Sequence, residues 1–209
     1  MLDCTVQSRL RMPGTLVNRE RVLRAATAAF TLDGYRVSIE RIARRAGVAK
    51  QTVYSHFPSK DDLFKEVVRE MASRVLVQLD AGSDLRAGLL GFALAYRARA
   101  LRPEGIAMFR TLAAEIPRFP SIARAIYDAG SGETARGLAR YLEQAMHEGR
   151  LRRDDPRFAA EMLLGMLVGH DRIKSLFGVA RFSAAAEARR AARIVDSFLR
   201  LYSGESTSQ

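Results

Sequence analysis

The stretch SIERIARRAGVAKQTVYSHFPSKDDLF, residues 38–64, decides the fold of this chain. Ser38 can cap a short helix over 39–46, whose apolar side chains recur at helical spacing, and Gly47 supplies a C-terminal stop. Only three residues then pass before a second helix over 50–57, which Pro58 ends. A connection of three residues is typical of a helix-turn-helix, so the sequence predicts this motif over residues 38–57.

The second helix of this pair has an unusually polar outer face. Val48, Val53 and Phe57 can pack inward. The side chains left for the other side are Lys50, Gln51, Thr52, Tyr54, Ser55 and His56. A recognition helix in the major groove of DNA needs this division into an apolar and a polar face. The amide of Gln51 can pair with adenine and Lys50 can donate to guanine, so both are hypothesised to read bases.

Groups suited to DNA phosphates lie around this helix. Hydroxyls, cations and helix N-termini all stabilise an anion. The residues that offer such groups are Ser38, Tyr54, His56 and Lys60, with further positive charge at Arg41, Arg44 and Arg45. The alternative for each is an ordinary solvated surface position, and His56 could instead be a packed histidine.

Together with RERVLRAATAAF, residues 19–30, this stretch resembles the DNA-binding domain of the TetR family over about residues 18–66. The resemblance implies base contacts from Lys50 and Gln51. It implies phosphate contacts from Ser38, Thr52, Tyr54, His56 and Lys60. The chain departs from the family at Ala49, where serine or another capping residue is common. The recognition helix therefore lacks a side-chain cap worth ~1 kcal/mol.

The rest of the chain also has helical periodicity, which predicts an all-α fold. Asn18 can cap a first helix that ends near Asp33, and Ser59 opens a long fourth helix. Further helices are predicted near 84–101, 104–116, 120–129, 132–148, 156–178 and 184–203. The predicted domains are a flexible basic arm over 1–17, a DNA-binding domain over 18–66, a linking helix over 67–82, a regulatory domain over 83–203 and a disordered tail over 204–209.

The second half has a resemblance of its own. FRTLAAEIPRFPSIARAIYDAG, residues 109–130, and LARYLEQAMHEGRLRRDDPRFAAEMLLGMLVG, residues 138–169, are similar to the C-terminal domain of the AefR-like TetR subgroup. That similarity implies a ligand cavity, a dimer interface and a repressor that a small molecule releases from DNA. It does not identify the small molecule.

Candidate residues for both features can be named. Soft and aromatic side chains line most ligand sites, which selects Phe92, Tyr96, Phe109, Tyr127, Met162, Met166 and His170. Small residues allow close packing of the last two helices against their two-fold mates. The dimer candidates are Ala159, Ala160, Leu163, Leu167, Ala188, Ala192, Val195, Leu199 and Tyr202. Plain intramolecular core is the alternative for both sets.

Charge points to an anionic partner. The chain holds 34 Lys and Arg against 23 Asp and Glu, for a net charge of +11. Residues 1–60 carry 11 basic and 4 acidic side chains, so the excess is concentrated at the front. Charge alone does not separate nucleic acid from an acidic membrane face or an acidic protein. No apolar run approaches the roughly 18 residues of a membrane span, and a cytoplasmic protein is expected.

Enzymatic alternatives lack their motifs. There is no P-loop, no dinucleotide-binding glycine motif and no zincin helix, and the three histidines, His56, His147 and His170, are far apart in sequence. Cys4 is the single cysteine, so no disulfide or cysteine-based zinc site is expected, and no metal or other cofactor. A nonspecific nucleoid or membrane-surface binder would need only a basic face, without a reading helix.

These features predict a homodimeric regulator of transcription that binds double-stranded operator DNA. Its two recognition helices would enter successive major grooves, roughly 34–36 Å apart, and a small-molecule effector would favour another spacing. The alternative is a nonspecific nucleic-acid-binding protein, and an enzyme is the weaker rival.

Overall fold

A computed structural model describes residues 14–80, 84–115, 117, 120–179 and 183–203. These residues form α-helices and short helical turns, and none of them lies in a β-strand, as the sequence predicts. The helices are α1 Gly14–Asp33, α2 Ile39–Ala46, α3 Lys50–His56, α4 Lys60–Leu76, α5 Leu85–Leu101, α6 Pro103–Glu115, α7 Pro120–Tyr127, α8 Glu133–His147, α9 Pro156–Leu176 and α10 Ala184–Tyr202. No described helix is long and apolar enough to cross a membrane.

The first four helices supply most of one hydrophobic core. Its centre is aromatic: the ring of Phe30 lies edge-on to Phe64 at 4.7 Å between centroids, and Tyr35 packs against Phe64 at 5.3 Å. Ile42 of α2 and Val53 of α3 are fully buried in the same core. The two short helices are therefore fixed by tertiary packing rather than by their own length, which is too small for independent stability.

Helix α1 begins earlier than the sequence pattern predicts. Asn18 is the predicted cap, but α1 starts at Gly14 and places Asn18 inside the helix. Residues 14–17, assigned by the sequence to the flexible arm, are thus helical. Residues 1–13 of the predicted arm and the predicted tail over 204–209 lie outside the described residues.

Two irregular turns interrupt the second half of the chain. Helix α4 ends at Leu76 and continues as a 3₁₀ turn over Val77–Asp80, so the predicted linking helix is not regular over its whole length. A π turn over Asp128–Gly132 joins α7 directly to α8, where the sequence predicts a break. A π turn widens the helix locally, and such turns are frequent at functional sites.

A second core lies among α5, α8, α9 and α10, and it absorbs most of the predicted dimer residues. Those buried in it are Ala159, Ala160, Leu163 and Leu167 of α9 and Val195 and Tyr202 of α10. These six side chains pack inside the protomer, so their assignment to a dimer interface was wrong. Small residues allowed close helix packing as expected, but against α5 and α8 of the same chain.

The two cores are not separated at a single point in the sequence. Met108 of α6, Ile126 of α7 and Ala129 of the π turn belong to the first core, although they lie in the second half of the chain. Thr111 of α6 also sits so close to Gly34 that a Cβ atom there would be 2.9 Å from its side chain. The regulatory half therefore packs directly on the helix-turn-helix domain.

Candidate nucleic-acid interface and ligand cavity

The turn between α2 and α3 is fixed at both ends. The Ser38 hydroxyl accepts a hydrogen bond from the backbone N–H of Arg41 at 3.2 Å, which caps α2. Gly47 has a φ of 65°, in the left-handed region that favours glycine, and it ends α2. Arg21 of α1 donates to the carbonyl oxygen of Gly47 at 3.3 Å. The turn is thereby tied to the first helix.

Helix α3 presents the polar face that the sequence predicts. Val53 and Phe57 are buried beneath it. Its outer residues are exposed at Lys50, Gln51, Tyr54 and Ser55 and half-buried at Thr52 and His56. Ala49 occupies the N-cap position and makes no side-chain hydrogen bond. The recognition helix therefore begins with uncapped backbone N–H groups, which DNA phosphates could satisfy.

Lys50 is engaged within the protein. Its ammonium group forms an ion pair with Glu40 of α2 and lies 5.8 Å from the centroid of the Tyr54 ring. The hydrogen bond from Lys50 lowers the pKa of Glu40 to about 2, and the same bond raises the pKa of Lys50. Both residues are therefore charged at neutral pH. Lys50 must exchange this carboxylate for a base edge or a phosphate if it is to contact DNA.

The remaining cations of the face differ in their partners. Arg41 forms an ion pair with Asp33 of α1 at 2.9 Å. Arg44 and Arg45 are exposed in the last turn of α2, and no acidic partner for them is found among the described residues. They add positive potential beside the recognition helix without a competing internal contact.

Lys60 is positioned by a tyrosine that sequence reasoning missed. Its ammonium group lies 4.5 Å from the centroid of the Tyr35 ring, at the first residue of α4. The hydroxyl of Tyr35 donates a hydrogen bond to Asp61. Burial and this bond raise the pKa of Tyr35 above its ordinary value. Tyr35 lies within DGYRVS, a segment that reads only as a turn in the sequence.

A cavity of about 410 Å³ lies where α4, α5, α6, α7, the π turn and α9 meet. Tyr96, Phe109 and Tyr127, three of the predicted ligand residues, line it. Val68 and Met71 of α4 form another part of its wall. A partly open space of this size with apolar and aromatic walls suits a small organic molecule.

The other four predicted ligand residues lie elsewhere. Phe92 is fully buried in the second core, and Met162 and Met166 are half-buried against that core. His170, proposed from the sequence as a polar anchor, is exposed at the surface and does not line the cavity. The kink in α9 at Gly169 turns the helix at this point.

Two arginines in the cavity wall were missed by sequence reasoning. Arg99 of α5 lies 5.5 Å from the ring centroid of Tyr96, and Arg172 of α9 lies 4.9 Å from that of Phe109. Desolvation lowers the pKa of Arg99 from its ordinary value, and the neighbouring charge of Arg172 lowers it further. No local sequence pattern marks either residue as a ligand-binding group.

A second cleft, of about 860 Å³, lies at the far end of α5 and α6 beside the α9–α10 connection. Its wall includes Arg97, whose side chain is 1% exposed and fully paired. Arg97 contacts Asp171 at 3.0 Å and Glu187 at 2.8 Å, and it donates to the carbonyl oxygen of Leu167 before the kink. This cluster fixes α5, α9 and α10 together.

No group of three or more potential metal ligands occurs among the described side chains.

Comparisons with known proteins agree with both resemblances in the sequence. A family model of bacterial regulatory proteins, tetR family, matches residues 22–67. A model of the AefR-like transcriptional repressor, C-terminal domain, matches residues 87–204. An uncharacterized HTH-type transcriptional regulator of Mycobacterium bovis is 30% identical over 158 residues, which span 74% of this chain and 79% of that protein.

Solved structures show the same architecture. A TetR-family transcriptional regulator from Mesorhizobium loti is 32% identical and superposes with a TM-score of 0.74, covering 92% of this chain and 100% of that one. The flavonoid-responsive regulator FrrA is 30% identical with a TM-score of 0.67, covering 90% of this chain and 98% of that one. The similarity therefore extends through both halves of the molecule.

Proposed function

Because the chain belongs to the TetR family of DNA-binding transcriptional regulators, we propose that it is a sequence-specific repressor that a small-molecule ligand releases from its operator. Proteins of this family regulate transcription and are not enzymes. The cytoplasm, where operator DNA is accessible, is the expected place of action.

The observation that carries this proposal is the position of the cavity. Val68, Met108 and Ile126 line the cavity and are also buried members of the helix-turn-helix core. A ligand that displaces these side chains must therefore shift α4, α6 or α7 against α1. It releases DNA if it binds the shifted arrangement more tightly than the operator-competent one, since a ligand moves an equilibrium only by its differential affinity.

We assign the DNA contacts to the exposed face of α3 and its surroundings. Gln51 and Lys50 would read bases, with Ser55 beside them. The phosphate contacts would come from Ser38, Arg41, Thr52, Tyr54, His56 and Lys60. The exposure of Gln51 and Tyr54 supports this assignment, because a reading helix must leave such groups free of its own core.

We further propose that the operator-binding form is a homodimer. Of the nine predicted dimer residues, Ala188 remains exposed on α10, while Ala192 and Leu199 are half-buried. On α9, Phe158 is 58% exposed, and a Cβ atom at Gly165 would meet nothing within 4 Å. Small and apolar groups on two adjacent helices suit a four-helix interface with a two-fold mate, and two-fold symmetry suits a palindromic operator.

The proposed function is tested by binding of the purified protein to the intergenic DNA beside its own gene, with unrelated DNA as competitor. Gln51→Ala is expected to weaken operator binding by roughly 5- to 150-fold, the range for one bidentate base contact. Gln144→Ala, an exposed glutamine on α8, is the matched control and should bind as the wild type does. Weak binding, equal on both DNAs, would favour the nonspecific nucleic-acid binder instead.

The dimer face is tested separately by sedimentation. Ala192→Arg places a long cation in the proposed interface and should yield monomers that bind the operator weakly. Ala114→Arg, at an exposed site on α6, should leave the dimer intact. A monomeric wild-type protein, or a dimeric Ala192→Arg variant, would count against this face.

A further inference from the structure

Two arginines on α5, two residues apart, have opposite surroundings. Arg97 is buried among carboxylates, with Asp171 at 3.0 Å and Glu187 at 2.8 Å. Arg99 faces the 410 Å³ cavity, and no described carboxylate contacts it. The same helix thus carries one guanidinium whose charge is neutralised inside the protein and one whose charge is not.

A second unneutralised guanidinium stands in the same wall. Arg172 of α9 lies over the ring of Phe109 at 4.9 Å. Its Nε atom is inaccessible to solvent and has no hydrogen-bond partner in the structure. No acidic side chain among the described residues forms an ion pair with Arg172. An aromatic ring thus lies near each guanidinium group, and neither group forms an ion pair with a described acidic side chain.

Such an arrangement is unfavourable without a further partner. Both side chains are half-buried. A charge that is withdrawn from water costs free energy unless it is paired and hydrogen-bonded, and two neighbouring like charges add repulsion. The lowered pKa of Arg99, caused by desolvation and by Arg172, agrees with this geometry. An anion between the two groups would supply charge-assisted hydrogen bonds to both and remove the repulsion.

We propose that the effector is an apolar organic anion whose charged group binds between Arg99 and Arg172. Its apolar body would lie against Met71, Phe109 and Tyr127, towards the helix-turn-helix core. The volume of about 410 Å³ suits a molecule of two or three fused or linked rings, or a chain of similar size. This proposal rests on the proposed function in one respect, which is that the cavity is the effector site.

A pair of fluorescent probes with one ring system tests the proposal. Anilinonaphthalene sulfonate is anionic, and N-phenylnaphthylamine is its neutral counterpart. The wild-type protein should bind the sulfonate about tenfold or more tightly than the neutral amine, as expected for charge-assisted hydrogen bonds. Arg99→Gln with Arg172→Gln should abolish this preference and leave the affinity for the neutral probe unchanged.

Arg102→Gln is the matched control, because Arg102 lines the separate 860 Å³ cleft. It should keep the full preference for the anionic probe. Circular dichroism checks that the variants are folded, and the two single substitutions, each expected to lose part of the preference, serve if the double variant does not fold. Equal affinity for both probes, absence of binding, an unchanged preference in the double variant, or a preference lost in Arg102→Gln would each overturn the proposal.

Operator binding, measured without any probe, distinguishes a failure of this proposal from a failure of the proposed function. All the variants should bind the intergenic DNA as the wild type does, since none fills the cavity and none changes the DNA-facing surface, which is the exposed face of α3 with its surroundings. A wild-type protein that prefers the anion but binds no operator would contradict the proposed function alone. A protein that binds its operator but shows no anion preference would contradict the ligand class alone.

Discussion

The DNA-facing surface and the cavity use polar groups in opposite ways. Helix α3 keeps Gln51 and Tyr54 outside its core, where they are free to meet another molecule. The cavity wall instead contains Arg99 and Arg172, which are half-buried and lie near aromatic rings. The first site comes from a segment of twenty residues, 38–57, whereas the second is assembled from residues spread between 68 and 172. The proposed recognition of DNA thus depends on a local segment of this chain, whereas the proposed recognition of a ligand depends on the whole fold.

The largest expected effect concerns the stability that the buried ion pairs of Arg97 give to the second core. Asp171→Ala leaves Arg97 buried with one fewer carboxylate and should lower the free energy of unfolding by about 3–5 kcal/mol. Urea denaturation measures this. Asp196→Ala removes the partner of Arg86 in an exposed ion pair and should change stability little. Equal losses of unfolding free energy in the two variants would mean that the buried ion pair of Arg97 contributes no more stability than an exposed ion pair does.

The second prediction separates a loss of stability caused by backbone strain from a loss of operator binding. Gly47 and Gly149 both have positive φ, 65° and 69°, at the ends of α2 and α8. Alanine at either position should cost about 1–2 kcal/mol of stability, because side chains are disfavoured in this region. Only Gly47→Ala should also weaken operator binding, since it alters the turn before α3. Impaired binding by Gly149→Ala as well would show that general destabilisation, not the turn, controls affinity.

The third prediction tests a local feature of the DNA-facing surface, the missing N-cap of α3. Ala49→Ser introduces the missing N-cap of α3 and should stabilise the protein by ~1 kcal/mol, measured by thermal unfolding. Ala114→Ser, within an exposed turn of α6, is the control and should give no gain. A serine at position 49 that adds no stability would indicate that the backbone N–H groups of α3 already have other partners.

The smallest expected effect concerns Glu40. Glu40→Gln frees Lys50 and removes a negative charge beside the recognition helix. Operator affinity should rise by about twofold to fivefold, the range of one exposed charge contact. Glu143→Gln, at an exposed position on α8, should leave the affinity unchanged. Weaker binding by Glu40→Gln would mean that the ion pair holds Lys50 in its DNA-competent position.

The sequence predicted the local features of the fold well. The all-α class, the boundaries of α2 and the uncapped start of α3 follow from helix caps, glycines and apolar spacing, which act within a few residues. The early start of α1 did not follow, because Asn18 has capping chemistry but lies within a helix that begins at Gly14. A capping residue permits a helix start and does not require one.

Only part of the proposed ligand cavity and of the proposed dimer face could be predicted, for a shared reason. Small and aromatic residues mark a packed face, but the sequence does not say whether its partner is the same chain, a ligand or a second copy. Leu163 and Tyr202 therefore proved to be core, and His170 proved to be surface. Arg99 and Arg172 were not predicted as ligand residues, because the absence of a carboxylate partner is visible only in three dimensions.

The central claim, that occupation of the cavity controls DNA binding, can be tested without knowing the ligand. Ala100→Phe fills part of the cavity from α5, whereas Ala114→Phe adds the same ring at an exposed site on α6. Ala100→Phe should fold cooperatively yet bind the operator about tenfold more weakly, within the usual range of coupling between two sites. Ala114→Phe should bind as the wild type does. A folded Ala100→Phe variant with wild-type operator affinity would contradict control of DNA binding by this cavity.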